Sequence, residues 1–227
     1  MSNYKIKQNE KLEERFALNA KKSEEEYFLK NPHSVNLLFK EELECLGVEL
    51  NYLNQVINLM PKYKETLFPL ALKYYKQARD VEQFREMNFY LNLFCYKGCE
   101  DVIPMLLEDF RSINVPDSTK WAIADCLYQL KCKEYADEYI KIASNTRYGI
   151  NRQMIILLIG KLKIESGIPV LISLLEDESV RLHVICALSD YKRIEFAPHF
   201  ERFVNDTHSG IRKYAKAALK KLGIKEL

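Results

Sequence analysis

The feature of this chain that most constrains its fold is an internal repeat. Residues 152–177 resemble residues 181–206 at an offset of 29 residues. Arg152 falls on Arg181, and Asp177 falls on Asp206. A repeat of this length is typical of chains that stack one supersecondary unit on the next, so it restricts the fold before any local pattern is considered.

The best-preserved part of the repeat has the apolar spacing of an α-helix. Residues 180–191 place apolar side chains at i, i+4, i+7, i+8 and i+11, which lie on one face of a helix. The matching positions 211–222, 152–162 and 120–130 are also mainly apolar. The sequence therefore predicts one amphipathic helix in each repeat, which we term the first helix.

A second recurring signal is proline. Proline is tolerated in the first turn of a helix, where its missing N–H has no intrahelical partner. Each recurring proline therefore predicts the start of a second helix in its repeat. The positions are Pro69, Pro104, Pro169 and Pro198, with Asp137 in the remaining place.

These residues carry a family resemblance. The pattern Asp-x-x-Val-Arg-x-x-Val-x-x-Ala-Leu at 177–188, followed by Ala-Pro-x-Phe at 197–200, resembles the HEAT repeat in its short, phycobilisome-lyase HEAT-like form. The resemblance implies an all-α fold: an α-α superhelix, or solenoid, of antiparallel helix pairs over residues 66–227. Residues 1–65 are then expected to form an irregular helical N-terminal cap of the same domain, because a solenoid needs a covered end.

The predicted cap has its own local signals. Residues 8–29 have a charged helical pattern, and Asn31-Pro32 ends it. Ser34 predicts the N-cap of a second helix that continues to about residue 46, where Gly47 closes it. A third helix is predicted from about residue 49 to residue 60.

One rival fold is α/β, with residues 154–159 and 168–175 as buried strands of a parallel sheet. Both segments align in the repeat with strongly helical segments, which favours the all-α fold.

Composition narrows the classes of function. The net charge is +2, which is small for a nucleic-acid-binding protein. Six cysteines, a polar N-terminus and short apolar runs predict a cytoplasmic protein with reduced thiols and no membrane contact. Cys95 and Cys99 are spaced for zinc, but no second pair follows at finger spacing, so no metal or cofactor is predicted.

The sequence lacks the common catalytic motifs. HEAT-like enzymes that hold iron use repeated His-Glu pairs, whereas the four histidines here precede Ser, Val, Phe and Ser. The sequence contains no Gly-rich phosphate loop and no Gly-x-Ser-x-Gly motif. The chain is therefore predicted not to be an enzyme.

Candidate contact residues follow from the resemblance, because second helices usually line the concave face of such a solenoid. Tyr and Arg are enriched at protein interfaces. The candidates are Tyr74, Tyr75, Arg79, Tyr139, Lys141, His199 and Arg202. Trp121, early in a first helix, is predicted to be buried rather than to stack on a base.

Two basic features have alternative interpretations. Arg152, Arg181 and Arg212 recur once per repeat, and they either hold phosphates or pair with acidic residues such as Asp177 and Asp206. The resemblance to HEAT-like repeats favours the structural interpretation, because this position usually pairs with an acidic residue of a neighbouring turn there. The last helix carries a basic patch that is either a contact for nucleic acid or acidic protein, or a solvated end cap. The patch is Lys213, Lys216 and Lys220, among a larger basic set of Arg212, Lys221 and Lys225.

The leading hypothesis is a non-enzymatic scaffold or adaptor that binds a protein partner through its concave face. The alternative is a DNA-binding or DNA-repair protein similar to the alkylpurine glycosylases built on HEAT-like repeats. A third hypothesis, suggested only by the name of the repeat type, is a lyase-type chaperone for a tetrapyrrole.

Overall fold

A computed structural model describes the backbone of residues 2–224 and the side chains of residues 12–224. Within residues 2–224 the chain forms α-helices and short 3-10 helices and no β-strand, so the all-α prediction is confirmed and the α/β alternative is wrong. The α-helices are α1 (Ser2–Lys30), α2 (Val35–Cys45), α3 (Val56–Asp80), α4 (Phe84–Phe94), α5 (Ile103–Arg111), α6 (Asp117–Leu130), α7 (Ala136–Ser144), α8 (Gln153–Lys161), α9 (Ile168–Ser173), α10 (Arg181–Tyr191), α11 (Ala197–Glu201) and α12 (Ser209–Lys221). The 3-10 helices are Leu53–Gln55, Glu100–Val102, Lys133–Tyr135, Thr146–Arg152, Glu165–Gly167, Leu174–Glu176 and Ile194–Phe196.

The chain divides into two compact units between Tyr96 and Lys97. The first unit contains α1 to α4 and the second contains α5 to α12. The predicted boundary near residue 65 falls inside α3, close to Tyr63, whose φ of −118° and ψ of 27° interrupt the helix. Where the cap ends and the repeats begin stays a prediction.

The core of the first unit is aromatic. The ring of Phe39 on α2 is completely buried. Its centroid lies 5.4 Å from that of Tyr74 on α3 and 5.4 Å from that of Tyr90 on α4, both edge to face. Such pairs stabilise beyond the area they bury. The apolar stripes of α2, α3 and α4 therefore meet at one point.

Helix α3 differs from the prediction, because it runs on to Asp80 instead of ending near residue 60. Pro61 lies inside it and cannot donate to the carbonyl of Ile57, four residues earlier. The hydroxyl of Tyr96 donates to that carbonyl instead, at 3.0 Å. A tertiary hydrogen bond thus satisfies the group that proline leaves open, which local sequence rules do not anticipate.

In the second unit the same succession of elements occurs repeatedly. A lysine in the left-handed conformation follows each of α6, α8 and α10 within two residues, and a 3-10 turn then leads into α7, α9 and α11. These lysines are Lys131, Lys163 and Lys192, with φ of 54°, 49° and 56°. Gly223 adopts the same conformation after α12, with φ of 79°. A left-handed residue ends a helix because the chain must turn sharply there.

The prolines behave as predicted in this unit. Pro104, Pro169 and Pro198 lie in the first turn of α5, α9 and α11. Asp137 holds the matching place in α7. The prediction is wrong for Pro69, which lies in the interior of α3.

The first helices of the second unit pack in chain order: α6 against α8, α8 against α10, and α10 against α12. Gly160 on α8 allows a close approach of α8 to α10. A Cβ atom added there would lie 2.4 Å from the Cα of Ala187 on α10 and 2.5 Å from its carbonyl oxygen. Only glycine fits this distance between two helix backbones.

Candidate functional site

The recurring arginines of the second unit have a structural role. Arg152 is 1% exposed. Its guanidinium forms an ion pair with Asp177 and donates to the carbonyls of Ala143, at 2.9 Å, and Gly149, at 3.0 Å. Its donors are thus engaged inside the fold. The structural interpretation of Arg152 is confirmed, because its guanidinium N–H groups bind Asp177, Ala143 and Gly149 and do not face a site for a phosphate.

The next two arginines act in the same way at the surface. Arg181 donates to the carbonyl of Leu175 at 2.7 Å and lies 4.0 Å from the carboxylate of Asp206. Arg212 donates to the carbonyls of Asp206 and Thr207 at 2.7 and 2.8 Å. Each guanidinium therefore satisfies carbonyls at the end of the preceding helix pair, where a cation is also favoured by the helix dipole.

The tyrosines among the predicted contact residues lie in the core of this fold and not at its surface. Tyr75 and Tyr139 are 0% exposed and Tyr74 is 5% exposed. The hydroxyl of Tyr74 donates to Glu42 at 2.5 Å, and burial together with this bond raises its pKa. Burial also raises the pKa of Tyr139. Helical spacing does not distinguish a core stripe from a contact stripe, which is why sequence misplaced them.

The remaining predicted contacts lie at or near the surface. Lys141 on α7 and Arg202, next to α11, are exposed, and His199 is half-buried. Arg79, in the first unit, is half-buried near the end of α3. Lys141, His199 and Arg202 therefore define the part of the predicted site that the second unit presents to solvent.

These three residues belong to a larger pattern, which we call the second-helix face. The pattern is counted from the residue in the first turn of each second helix, which is Pro104, Asp137, Pro169 or Pro198. In all four pairs the first following residue is half-buried, and the fourth and seventh are exposed. The exposed fourth positions are Glu108, Lys141, Ser173 and Arg202; the exposed sevenths are Arg111, Ser144, Glu176 and Asn205; the half-buried firsts are Met105, Glu138, Val170 and His199.

Ion pairs join neighbouring second helices across this face. Arg111 pairs with Glu138, which also accepts from Lys141 at 2.8 Å. Glu176 accepts from Arg202 at 2.5 Å. The pKa values of Glu138 and Glu176 are lowered chiefly by the hydrogen bonds from Lys141 and Arg202, respectively. The face therefore carries both signs of charge in alternation.

The predicted basic patch is exposed along α12. Lys213, Lys216 and Lys220 lie on the side of the helix away from the buried Ile211 and Ala215. None of these three lysines forms an ion pair with a carboxylate among the side chains of residues 12–224. Lys225, part of the larger basic set, lies outside the described residues.

Trp121 is 42% exposed on α6, so the prediction of a buried tryptophan is wrong. Its neighbours along the helix supply the buried face: Thr119, Ile123 and Ala124 are buried. A first helix that packs against neighbours on one side leaves the other side open, and Trp121 falls there.

The cysteines and histidines give no sign of a reactive centre. No group of three or more His, Cys, Asp or Glu side chains within residues 12–224 is placed to hold a metal ion. Burial raises the pKa of Cys186 to about 11, so its thiol stays protonated near neutral pH.

The first unit contains a buried polar cluster that sequence patterns did not reveal. The carboxylate of Glu86 on α4 is 3% exposed. It accepts from the hydroxyl of Tyr27 at 2.9 Å, from that of Ser34 at 2.6 Å and from the backbone N–H of Asn36 at 2.8 Å. Burial and the bond to Glu86 raise the pKa of Tyr27.

This cluster caps α2 from another helix. The first amide of α2, on Val35, donates to the side chain of Gln83 at 3.0 Å. Glu86 receives the second amide, and the predicted N-cap Ser34 receives the third, from Leu37 at 3.3 Å. The predicted cap is confirmed, and the start of α4 completes it. Three backbone N–H groups that have no partner within α2 are thereby satisfied.

A cleft surrounds this cluster. Three cavities of about 490, 380 and 360 Å³ adjoin one another, because all three are lined by Tyr27 and Arg85. We refer to them together as the polar cleft. Its other lining residues include Asn36, Asn54, Asn88, Phe89 and Asn92.

The sequence analysis missed this cleft, although one pattern on α4 could have indicated it. Asparagine is a poor residue for a helix interior, yet α4 carries Asn88 and Asn92 one turn apart. Arg85 precedes Asn88 by three residues, so the three side chains share one face of the helix. A polar stripe on an otherwise apolar helix indicates a function other than packing.

Comparison of the chain with protein-family models, with curated proteins and with solved structures gave no match. Within the described part of the chain, no helix combines the length and the apolar character needed to cross a membrane.

Proposed function

We propose that this chain is a non-enzymatic, cytoplasmic scaffold of the HEAT-like repeat type, which binds a protein partner through the second-helix face. The repeated succession of first helix, left-handed residue, 3-10 turn and second helix supports a solenoid of helix pairs in the second unit. The chain-order packing of α6, α8, α10 and α12 supports it further. The reduced thiols of Cys45, Cys132 and Cys186 are consistent with the cytoplasm.

The observation that carries the proposal is the register of the second-helix face. The fourth and seventh positions are exposed in all four pairs. Stacking therefore sets equivalent side chains of successive helices side by side, which makes one extended surface out of short helices. Repeat scaffolds bind partners on surfaces built in this way.

The chemistry of the face favours a protein over a small molecule. Lys141, Arg202 and Arg111 alternate with Glu138 and Glu176. A surface with both signs of charge selects a partner with the complementary order of charges, which fixes register and orientation more than affinity. The half-buried Met105, Val170 and His199 supply apolar contact between these charges.

Reversal of the two exposed cations on this face tests the proposal. In a Lys141→Glu/Arg202→Glu variant we expect recovery of the bound partner to fall about tenfold or more, because two attractive contacts become repulsive. The measurement is quantitative affinity purification from the native source with the full chain as bait. Lys161→Glu, an exposed charge reversal on the first helix α8, is the matched control and is expected to retain the partner. Equal recovery with both variants contradicts the assignment of the face.

A second candidate function is binding of DNA by the basic patch. It is favoured by the three exposed lysines of α12, which have no carboxylate partner among the described side chains. We expect any binding of labelled duplex DNA to weaken steeply with salt, and to be lost in the Lys213→Glu/Lys216→Glu/Lys220→Glu variant. Fluorescence anisotropy measures both effects. The same triple reversal on α1, at Lys21, Lys22 and Lys30, is the control. Absence of binding by the unaltered chain at low salt removes this candidate.

A further inference from the structure

The polar cleft of the first unit has a composition unlike that of a packing defect. Four asparagines line it from three different elements: Asn36 from α2, Asn54 from the 3-10 helix before α3, and Asn88 and Asn92 from α4. Each side-chain amide offers both a donor and an acceptor, the same pair of groups that a peptide bond offers. Packing alone gives no reason to gather them around one opening.

Two of these amides are unsatisfied. Among the side chains described, the Oδ1 atoms of Asn36 and Asn88 are shielded from solvent and accept no hydrogen bond. A buried acceptor without a donor destabilises the fold, because it has lost water and gained no partner. Both atoms belong to residues that line the same cavity. A rotation about χ2 exchanges the two ends of an asparagine amide, so each can present its oxygen or its nitrogen to a bound group.

Arg85 supplies a charge at the same place. Its guanidinium lies over the ring of Tyr27, 5.2 Å from the centroid. The carboxylate of Glu86 is occupied by three other donors, and Arg85 forms no ion pair with any carboxylate in residues 12–224. The Tyr27 ring holds the Arg85 side chain at the wall of the cleft, where its guanidinium can bind a carboxylate in bidentate fashion.

We propose that the polar cleft binds an extended segment of a protein partner that carries an aspartate or a glutamate. The asparagine amides pair with the main chain of the segment, Arg85 pairs with its carboxylate, and Phe89 supplies an apolar wall. This inference rests on the proposed function, because it assigns a second contact, of defined chemistry, to a protein partner. The asparagine amides can bind the main chain of any extended segment. The guanidinium of Arg85 selects a segment that carries a carboxylate.

The probe for the test is a displayed library of random dodecapeptides, selected on the full chain. We expect the selected peptides to share an acidic residue at one position. Replacement of that residue by its amide is expected to weaken binding about tenfold or more. In the Arg85→Gln variant the acidic peptide and its amide form are expected to bind equally, because the charge that distinguishes them has been removed.

A second variant separates binding from folding. Asn88→Leu removes a buried acceptor that has no donor, so we expect unchanged or higher thermal stability together with about tenfold weaker peptide binding. Arg15→Gln is the control for Arg85→Gln, because it makes the same chemical change at an exposed position of α1. It is expected to bind the peptide as the unaltered chain does.

Several outcomes overturn the inference: no peptide is selected, the selected peptides lack acidic residues, or their affinity is unchanged in Arg85→Gln and Asn88→Leu. Selected peptides that are lost only in the Lys141→Glu/Arg202→Glu variant place the contact on the second-helix face. That result overturns the cleft and leaves the proposed function standing. Peptides whose binding is lost only in Arg85→Gln and Asn88→Leu support the proposed site in the cleft. Equal partner recovery by both variants in the affinity purification would still contradict the second-helix face.

Discussion

Replacement of Gly160 by alanine is expected to destabilise the second unit by roughly 2–3 kcal/mol. In an ordinary helix interior the same change is stabilising, by about 0.8–1 kcal/mol, because alanine restricts the unfolded chain and favours the helix. Here the added Cβ meets the Cα and carbonyl oxygen of Ala187 at 2.4 and 2.5 Å. Backbone atoms cannot rotate away, so α8 and α10 must separate, and overpacking of this kind outweighs the gain in propensity.

Urea denaturation followed by circular dichroism measures the Gly160→Ala effect. Gly210→Ala is the control: it lies in α12, and its added Cβ approaches the side chain of His208 at 3.0 Å, which can move. We expect the control to change stability by less than about 1 kcal/mol. A Gly160→Ala protein that is as stable as the unaltered chain contradicts the close approach of α8 and α10.

The second large effect is expected from Arg152→Met, which should cost about 3–5 kcal/mol. Methionine keeps much of the volume of the buried side chain but provides no donors. The carbonyls of Ala143 and Gly149 then lose this donor inside the fold, and the carboxylate of Asp177 keeps only its hydrogen bonds from Ser179. Breaking one side of a buried pair costs far more than the pair itself contributes, because the remaining groups stay unsatisfied.

An exposed arginine provides the comparison. Arg193 pairs with Glu165 at 2.6 Å, and both side chains are well exposed, at 39% and 60%. We expect Arg193→Met to cost less than about 1 kcal/mol in the same denaturation measurement. Equal effects at residues 152 and 193 contradict the buried role of Arg152.

The Arg152 pair also has a pH signature. Burial alone raises the pKa of Asp177, but the hydrogen bonds from Ser179 and from Arg152 outweigh it, so the pKa lies below its ordinary value. A carboxyl with a lowered pKa stabilises the fold above its unfolded-state pKa, and this contribution is lost as the pH falls through the folded-state pKa. We therefore expect the unaltered chain to lose stability below about pH 4. Arg152→Met is expected to lose less over the same range.

The elements that the sequence predicted well are those governed by local backbone chemistry. Pro104, Pro169 and Pro198 begin helices because a missing N–H is harmless only there. The capping role of Ser34 depends on groups within three residues along the chain, so the sequence alone could predict it. An acidic partner for Arg152, such as Asp177, was expected from the resemblance to HEAT-like repeats, and the ion pair is present.

The elements that the sequence did not predict depend on distant groups. Whether Tyr75 faces the core or a partner is decided by what packs against α3, and helical spacing is the same in both cases. The continuation of α3 past Pro61 depends on the hydroxyl of Tyr96. The polar cleft assembles side chains from α1, α2, the Leu53–Gln55 3-10 helix, α3 and α4, so its lining depends on tertiary contacts that local sequence patterns do not reveal.

The location of Trp121 allows the unfolding of the second unit to be followed separately. It is the chain's one tryptophan, and it lies in the second unit. Its emission therefore follows the melting of that unit alone, whereas the helical signal in circular dichroism sums over both. Superposition of the two curves diagnoses a single cooperative transition, and separate midpoints diagnose two folding blocks. The chain thus carries an intrinsic spectroscopic label that assigns each loss of stability to its own half of the molecule.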